Sequence, residues 1–370
     1  MRIVIDLQGA QTESRFRGIG RYAMGFSQAV ARNHGEHEVF LALNGLFPET
    51  IEPIRLAFEG FLPQENIRVW HAPGPVQEEN PDNEARRNIA ELVREAFLAS
   101  LKPDVIHVIS LFEGYVDDAV TSIGRFDETT PVTVTLFDLI PLLNPDHYLM
   151  PNPQFAAYYE GKVGSLRQAA SFFAISEFTR QEGLANLGVL DHQVVNASTA
   201  IESRFQPFDI NEDAVKCFLK RIGVTRPFIL YTGGADECKN LPRLIQAYAE
   251  LSSALRAGHQ LLFAGKISKS DVLRLRNQAK TAGLKADELV LTGYISDEEL
   301  IQLYNLCELF VFPSWHEGFG LSALEAISCG APTIAANTTS LPEVIGMDEA
   351  MFDPFDVSAI TAKVEQALVD

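Results

Sequence analysis

Positive charge is scarce in this sequence of 370 residues, which carries 30 Lys and Arg against 49 Asp and Glu, a formal net charge of −19. Both halves of the chain are acidic. This balance argues against a nucleic-acid partner, because binding to DNA or RNA depends on neutralising phosphates with basic side chains. It also weakens electrostatic attachment to anionic lipid. The basic residues that do occur within motifs therefore stand out.

Cysteine and long apolar runs are scarce as well. The 4 cysteines show no paired spacing, so the sequence predicts neither a disulfide framework nor a zinc site, and it fits a reducing cytoplasm. No apolar run reaches the roughly 18 residues needed to span a bilayer. The N-terminus enters a strand at once, and we expect no cleaved signal peptide.

The sequence does contain a regular alternation of short apolar strands and amphipathic helices, which indicates α/β architecture with parallel sheets. Two domains are expected at this length, and the weakly patterned segment 201–226 marks their join. Residues 44–83, rich in Pro, Gly and Glu, fit an exposed loop region near a substrate entrance or a variable insertion. Strands are predicted at 2–7, 38–43, 66–71, 104–110, 131–137, 170–175, 193–197, 227–232, 259–264, 289–293, 308–312 and 332–336. Helices are predicted at 20–33, 84–100, 155–169, 177–187, 240–256, 269–283, 297–305, 320–329 and 356–369.

The most informative motif places Glu317 and Glu325 on either side of Gly318 and Gly320, directly after the strand 308–312. Glycines can take backbone angles that other residues avoid, and they let a ligand approach the main chain. The helix that begins near Gly320 offers unpaired N–H groups and a positive dipole end, which suit a phosphate. The two carboxylates would bracket a ligand with phosphate in its middle and hydroxyls at both ends, which is the shape of a nucleotide-sugar.

A second motif follows the strand 227–232, where Gly233 and Gly234 lead to Lys239 and Asn240 at a helix start. Asn240 is a good N-cap residue. Lys239 beside a helix N-terminus is well placed to meet a diphosphate as a point charge. An ordinary strand–helix loop with a solvated lysine explains the pattern equally well.

Near the N-terminus, Gly18, Gly20 and Arg21 follow the first strand and a long polar loop. Glycines here would let the backbone approach a phosphate, to which Arg21 would add charge. The third glycine of the dinucleotide fingerprint is absent, which counts against an oxidoreductase.

Three further polar residues follow strands of the first half. Asp138 lies at the carboxyl end of a central strand, where open α/β sheets bind ligands, but capping the following turn is an equally ordinary role for Asp. Ser176 reads as the N-cap of the next helix, and Arg180 fits function or solvent exposure equally well. Three histidines, His107, His147 and His316, show no metal-ligand spacing, although His316 adjoins Glu317.

Together these motifs occur in the order and spacing of a known family. The chain resembles family 4 of the retaining glycosyltransferases, and the likeness covers nearly the whole sequence. It is carried by the Glu317–Glu325 pair, the turn 233–240, the segments 18–22 and 174–178, and the tail 329–344. The resemblance implies the α/β GT-B fold of two facing Rossmann-like domains with an interdomain cleft. Residues 1–205 would form the acceptor-side domain, and residues 206–370 the nucleotide-sugar domain.

By position, the resemblance implies that Glu317 contacts the donor sugar, Glu325 the ribose hydroxyls and Lys239 the diphosphate. The implied catalytic group is Glu317, Lys239 and Asp138. The implied donor-binding residues are Gly18, Gly20, Arg21, Gly233, Gly234, Asn240, His316, Gly318, Phe319, Gly320, Leu321 and Glu325.

The sequence departs from the family pattern at four places. Cys238 stands where many members have Arg beside the phosphate lysine, Phe137 where many have His, and Ser322 where proline is common. The chain also stops at Asp370, before the final helix that members usually send back across the first domain. We therefore expect a trimmed chain or one module of a longer protein.

The implied activity is retaining transfer of a hexose from a nucleoside diphosphate sugar to a saccharide or lipid-linked saccharide hydroxyl. The segment 136–142 is most similar to mannosyltransferase-type members that build bacterial surface polysaccharides, so mannose and GDP-mannose are favoured over a UDP-sugar. No cofactor is expected, and because no Asp-x-Asp occurs, neither is a metal. The resemblance also implies a cytoplasmic location at the inner membrane face, with weak association to a membrane surface or complex.

Rival interpretations remain open at this point. A nucleotide-sugar 2-epimerase or a phosphorylase would share the fold, and a non-catalytic nucleotide-sugar-binding module of a larger assembly would share the site. An oxidoreductase is the most distant alternative.

Overall fold

A computed structural model describes residues 1–208 and 212–369. The chain divides into two compact units, Met1–Ala200 and Ile201–Asp370, close to the predicted join after residue 205. The join lies slightly earlier because Phe205 is buried in the core of the second unit and Ile201 packs against that core.

The first unit is built on a seven-stranded parallel sheet in the order β3-β2-β1-β4-β5-β6-β7. Its apolar strands are buried by helices, as parallel sheets require. The strands are β1 (Arg2–Asp6), β2 (Glu38–Asn44), β3 (Ile67–Trp70), β4 (Val105–Val108), β5 (Val132–Leu136), β6 (Ser171–Ala174) and β7 (Val194–Asn196). The helices are α1 (Gly18–Arg32), α2 (Pro48–Ala57), α3 (Glu84–Ser100), α4 (Ile140–Leu143), α5 (Pro145–Tyr148), α6 (Pro153–Leu166) and α7 (Glu177–Asn186).

The prediction of an exposed loop region at 44–83 was wrong for its first part, whereas the alternative of a variable insertion stays a prediction. Helix α2 lies in that first part, and Thr50 and Ile54 are buried on its inner face. Pro48 occupies the first helical turn, where a missing N–H costs nothing. Pro53 lies inside the helix, and this second proline masked the helical pattern in the sequence.

The second unit contains a six-stranded parallel sheet in the order β10-β9-β8-β11-β12-β13. The order reverses between β8 and β11, which are hydrogen-bonded neighbours. Open α/β sheets bind ligands outside the carboxyl ends of strands at such a point. The strands are β8 (Phe228–Thr232), β9 (Gln260–Ala264), β10 (Leu289–Leu291), β11 (Leu309–Phe312), β12 (Thr333–Ala336) and the unpredicted β13 (Met351–Phe352).

Four of the five helices predicted for the second unit lie near their predicted positions, and one is divided. Helices at 212–222 and 341–345 were not among those predicted. The helices of this unit are α8 (Glu212–Ile222), α9 (Leu241–Glu250), α10 (Ser253–Gly258), α11 (Lys269–Thr281), α12 (Asp297–Leu306), α13 (Leu321–Ser328), α14 (Leu341–Ile345) and α15 (Val357–Val369). The single helix predicted at 240–256 is two helices, because Leu251 is extended and the Ser252 side chain caps α10 by accepting from the Leu255 N–H.

In the parts of the chain that the structure describes, no helix combines the length and apolar character needed to cross a membrane.

Candidate active site in the second unit

Lys239 and Glu317 meet where the loops after β8 and β11 leave the sheet. Lys239 Nζ donates a hydrogen bond to Glu317 Oε1 at 2.7 Å, and the two side chains are 21% and 11% exposed. Burial lowers the pKa of the Lys239 ammonium, but the Glu317 carboxylate outweighs it, so the pKa lies well above its usual value. Lys239 is therefore a permanent cation beside a carboxylate at the topological switch point.

The backbone holds these two loops together independently of that pair. The Trp315 N–H donates to the carbonyl of Cys238 at 2.9 Å, and its indole Nε1 donates to the carbonyl of Glu237 at 3.1 Å. The backbone and the side chain of Trp315 thus both hold the loop of Glu317 against the loop of Lys239, which preorganises the site before a ligand arrives.

The Asn240 side chain connects its loop to other segments of the second unit and does not act as the predicted side-chain cap. Asn240 has a left-handed backbone (φ 59°) and makes no side-chain hydrogen bond to helix α9. Its Nδ2 instead donates to the carbonyls of Pro313 at 3.0 Å and Pro354 at 2.7 Å. Two buried carbonyls are satisfied in this way. Asn240 thus occupies the predicted N-cap position, but its side chain does not cap the helix.

The glycine segment after Glu317 leads directly into helix α13. Gly320 has φ 104°, a region that favours glycine, and a Cβ there would lie 2.6 Å from Leu341 Cδ2. Gly318 and Phe319 precede it in the loop, and Leu321 is the first residue of the helix. The N–H groups of a first helical turn have no intrahelical partner, which makes this end suitable for an anion.

Glu325 lies inside helix α13 and is 1% exposed. Tyr304 Oη donates to Glu325 Oε2 at 3.0 Å and lies 2.8 Å from Thr232 Oγ1. Thr232 is the last residue of β8, so this chain of hydrogen bonds ties Glu325 to the strand that leads to Lys239. No local sequence pattern indicates these roles of Tyr304 and Thr232, because both depend on contacts between different segments of the chain.

Gly233 and Gly234 lie in the turn after β8, and the backbone angle of Gly233 already requires glycine without a ligand. Gly233 has φ 141°, and its N–H donates to the carbonyl of Ala264 at 3.0 Å. Tyr231 Oη donates to the carbonyl of Gly234 at 2.8 Å. A Cβ on Gly265, in the loop after β9, would lie 2.4 Å from the Gly233 carbonyl oxygen. The contact of Gly233 and Gly234 with a donor, which the family resemblance implies, stays a prediction.

His316 is buried, and its ring packs edge-on against Trp315 with 6.0 Å between centroids. It therefore lines the same loop as Glu317. Within the described ranges, no group of three or more His, Cys, Asp and Glu side chains is arranged to hold a metal ion.

The first unit places Gly18, Gly20 and Arg21 in the first turn of helix α1. A Cβ on Gly20 would lie 2.3 Å from the Cα of Arg15, so this glycine lets the preceding turn pack against the helix. Close backbone packing accounts for Gly20 without a ligand, and the phosphate-binding role of this turn stays a prediction.

The other candidates of the first unit have structural partners. Asp138 Oδ1 accepts from the N–H of Ile140 at 3.0 Å, so its turn-capping role is confirmed. Ser176 caps helix α7 as predicted, accepting from the Thr179 N–H at 2.9 Å. Arg180 donates to the Val194 carbonyl at 3.1 Å and to Glu177 at 2.9 Å, and pairs with Asp191.

Two successive hydroxyls that the sequence did not single out hold the backbone of Glu317. The N–H of Glu317 donates to Thr339 Oγ1 at 3.1 Å, and Ser340 Oγ donates to the Glu317 carbonyl at 2.9 Å. They belong to the loop between β12 and α14. Only their place in the tail that resembles family 4 could have pointed to them.

Comparison with known proteins defines the class. Residues 218–370 match the family model described as glycosyl transferases group 1. The fold matches that of HepE from Anabaena, solved with UDP and glucose, with a TM-score of 0.66 and 15% identity over 100% of this chain and 90% of that one. The two-domain parallel α/β architecture implied by the resemblance to the GT-B fold is thereby confirmed.

Residues 218–370 therefore carry a group 1 glycosyltransferase domain. The chain is 38% identical over 371 aligned residues to the serotype-specific mannosyltransferase WbdA of Escherichia coli, covering 100% of this chain and 44% of that protein. It is also 34% identical over 125 residues to a GDP-mannose-dependent alpha-(1-6)-phosphatidylinositol dimannoside mannosyltransferase of Mycobacterium tuberculosis, covering 34% and 31% of the two. The chain thus spans less than half the length of WbdA.

Proposed function

We propose that this chain transfers a mannosyl residue from a nucleoside diphosphate sugar to a hydroxyl of a saccharide or lipid-linked saccharide, retaining the anomeric configuration. The observation that carries the proposal is the contact between Lys239 and Glu317 at the sheet's switch point, beside the N-terminus of helix α13. It supplies a cation and backbone donors for a diphosphate, and a carboxylate for sugar hydroxyls.

The chemical task is to stabilise a departing diphosphate while positive charge grows at the anomeric carbon. Lys239 and the first N–H groups of α13 would stabilise the diphosphate by preorganised electrostatics. Glu317 would bind sugar hydroxyls rather than attack the sugar. Lys239 would exchange its bond to Glu317 for the diphosphate as the donor enters.

In the retaining reaction the acceptor oxygen attacks the face from which the diphosphate departs. The bond between the anomeric carbon and the phosphate oxygen breaks, and the bond to the acceptor oxygen forms. The leaving phosphate oxygen takes the acceptor proton, so no protein nucleophile is required. Lys239 and the helix N–H groups carry the charge compensation, so we propose that the reaction is independent of a metal ion.

GDP-mannose is the proposed donor. A relative with 38% identity is named a mannosyltransferase, and another relative is named GDP-mannose-dependent. HepE, which shares the fold, was solved with UDP and glucose, so a UDP-sugar is the alternative to test. A thermal-shift screen of GDP-, UDP- and ADP-sugars identifies the nucleotide, because binding to the native state raises apparent stability.

The deciding experiment measures mannose transfer from GDP-mannose to a mannoside in Glu317→Ala, Lys239→Ala and the matched control Lys269→Ala, whose side chain is exposed. We expect large losses in the first two variants and none in the control. If both site variants fold correctly and keep wild-type rates, the site is wrong. Tight GDP binding without transfer would indicate a binding module, and isomerised donor without acceptor an epimerase. Loss of activity with a chelator would contradict metal independence.

A further inference from the structure

Thr339 adopts a backbone conformation that its side chain disfavours. Among the described residues four non-glycine residues have positive φ, namely Lys102, Ser198, Asn240 and Thr339. Thr339 (φ 56°) is the β-branched member of this set, and a positive φ is a genuine outlier for a β-branched residue. Such strain persists only where the surrounding structure enforces it.

The surrounding contacts explain what the conformation achieves. With Thr339 in this geometry, its Oγ1 accepts the N–H of Glu317 at 3.1 Å. The next side chain, Ser340 Oγ, is fully buried and donates to the Glu317 carbonyl at 2.9 Å. Both polar groups of the Glu317 backbone are therefore held by two neighbouring hydroxyls of one loop.

The same loop also supports the glycine segment that follows Glu317. Leu341, the residue after Ser340, packs so close to Gly320 that a Cβ there would lie 2.6 Å from Leu341 Cδ2. Residues 339–341 thus contact both ends of the segment from Glu317 to Gly320. Glycine at position 339 would remove the strain, but it would also remove the hydroxyl.

We propose that Thr339 is a positioning residue for the donor sugar, whose hydroxyl fixes the Glu317 peptide so that the carboxylate is aimed at the sugar hydroxyls. This inference rests on the proposed function. It concerns the sugar half of the donor, because Thr339 contacts Glu317 and makes no described contact with Lys239. Loss of the hydroxyl should therefore impair transfer while leaving binding of the nucleoside diphosphate unchanged.

The test compares Thr339→Gly, which relieves strain but lacks the hydroxyl, with Thr339→Ser, which keeps the hydroxyl without the β-branch. Turnover of GDP-mannose and calorimetric affinity for GDP are measured on the whole chain. We expect Thr339→Gly to lower kcat roughly tenfold or more, since small misplacements of positioning groups are costly. GDP affinity should stay at the wild-type value, and Thr339→Ser should restore turnover.

Lys102→Gly is the matched control for strain relief. Lys102 is exposed, has φ 53° and lies in the first unit, so its glycine variant should keep wild-type turnover. Three results would each overturn this inference without touching the proposed function. They are wild-type turnover in Thr339→Gly, equal losses of turnover in Thr339→Gly and Thr339→Ser, and a loss of GDP affinity in Thr339→Gly that parallels its loss of turnover. A wild-type chain that binds GDP but transfers no sugar would overturn the proposed function, and this inference with it.

Discussion

Lys239 and Glu317 form an ion pair at 2.7 Å in which both side chains are largely shielded from solvent, at 21% and 11% exposure. A partly buried charge is costly without its partner. Each residue therefore stabilises the other, and in the proposed reaction a diphosphate and a sugar would take over these contacts. Substitutions at these two positions should therefore change both the proposed transfer activity and the free energy of unfolding, and the two effects can be measured separately.

Removing only the cation should destabilise the second unit. We expect Lys239→Met to lower the free energy of unfolding by about 1–3 kcal/mol, because the Glu317 carboxylate loses its charged hydrogen bond. Adding Glu317→Gln should recover part of that loss, since a neutral amide needs no cation, while sugar transfer stays abolished. Urea denaturation measures this, with the exposed Lys269→Met as control. A double variant no more stable than Lys239→Met would show that the pair does not stabilise the fold.

Position 320 requires glycine for two reasons, namely its positive φ angle and the lack of space for a side chain. Gly320→Ala should cost about 3 kcal/mol, since strain at φ 104° adds to a contact of 2.6 Å with Leu341. Gly346→Ala is the matched control, because Gly346 has φ 66° but no atom within 4 Å of its Cβ position. That variant should cost only about 1 kcal/mol. Equal losses of unfolding free energy in Gly320→Ala and Gly346→Ala would show that the Leu341 side chain moves aside at no energetic cost.

Strand positions were predictable because buried parallel strands are short apolar runs between turn signals. Predicted strand 38–43 is β2 (Glu38–Asn44), and predicted strand 308–312 is β11 (Leu309–Phe312). The two-residue strand β13 (Met351–Phe352) was missed because so short a run carries no periodicity. Helix α2 was missed because its prolines are typical of loops, although burial of Ile54 stabilises the helix.

The candidate site was predictable only as far as local sequence patterns reach. The glycines beside Glu317 and the lysine at the start of α9 are local signals, and the structure brings Lys239 and Glu317 into contact. The supporting contacts of Tyr304 and Thr339 join segments far apart in sequence, so no local pattern contains them. Asn240 is an example of a local pattern that misleads. The residue type and its position favour a side-chain N-cap, but the side chain instead donates a long-range hydrogen bond to the Pro354 carbonyl.

Tyr304 holds the buried carboxylate of Glu325. Tyr304→Phe removes the 3.0 Å hydrogen bond to Glu325 Oε2 with little change of shape, and we expect a loss of about 1–3 kcal/mol in unfolding free energy. If Glu325 binds the ribose, the KM for the donor should rise more than kcat falls. Donor kinetics and urea denaturation measure both effects. The exposed Tyr294→Phe is the control, and a Tyr304→Phe variant indistinguishable from it would contradict this role.

His107 should make the stability of the first unit depend on pH. The ring is buried between Phe26 and Phe173, its nitrogens lie 2.8 Å and 3.0 Å from the hydroxyls of Thr133 and Thr135, and burial lowers its pKa to about 3. In the unfolded chain a histidine protonates near pH 6.5. Between these values the unfolded state binds the extra proton, so stability should fall as pH falls from about 6.5 towards 3, by about 1.4 kcal/mol per pH unit.

The measurement is the unfolding free energy as a function of pH in the wild type and in His107→Gln. The variant loses packing at every pH, so its absolute stability will be lower, but its slope between pH 6 and 4 should be shallower by about 1.4 kcal/mol per unit. Other buried groups titrate in both proteins, and the difference of slopes removes their contribution. His192→Gln, on an exposed ring, should keep the wild-type slope. Parallel curves for wild type and His107→Gln would mean that His107 takes up a proton in the folded state, and hence that water or a rearranged hydroxyl reaches the ring between Phe26 and Phe173.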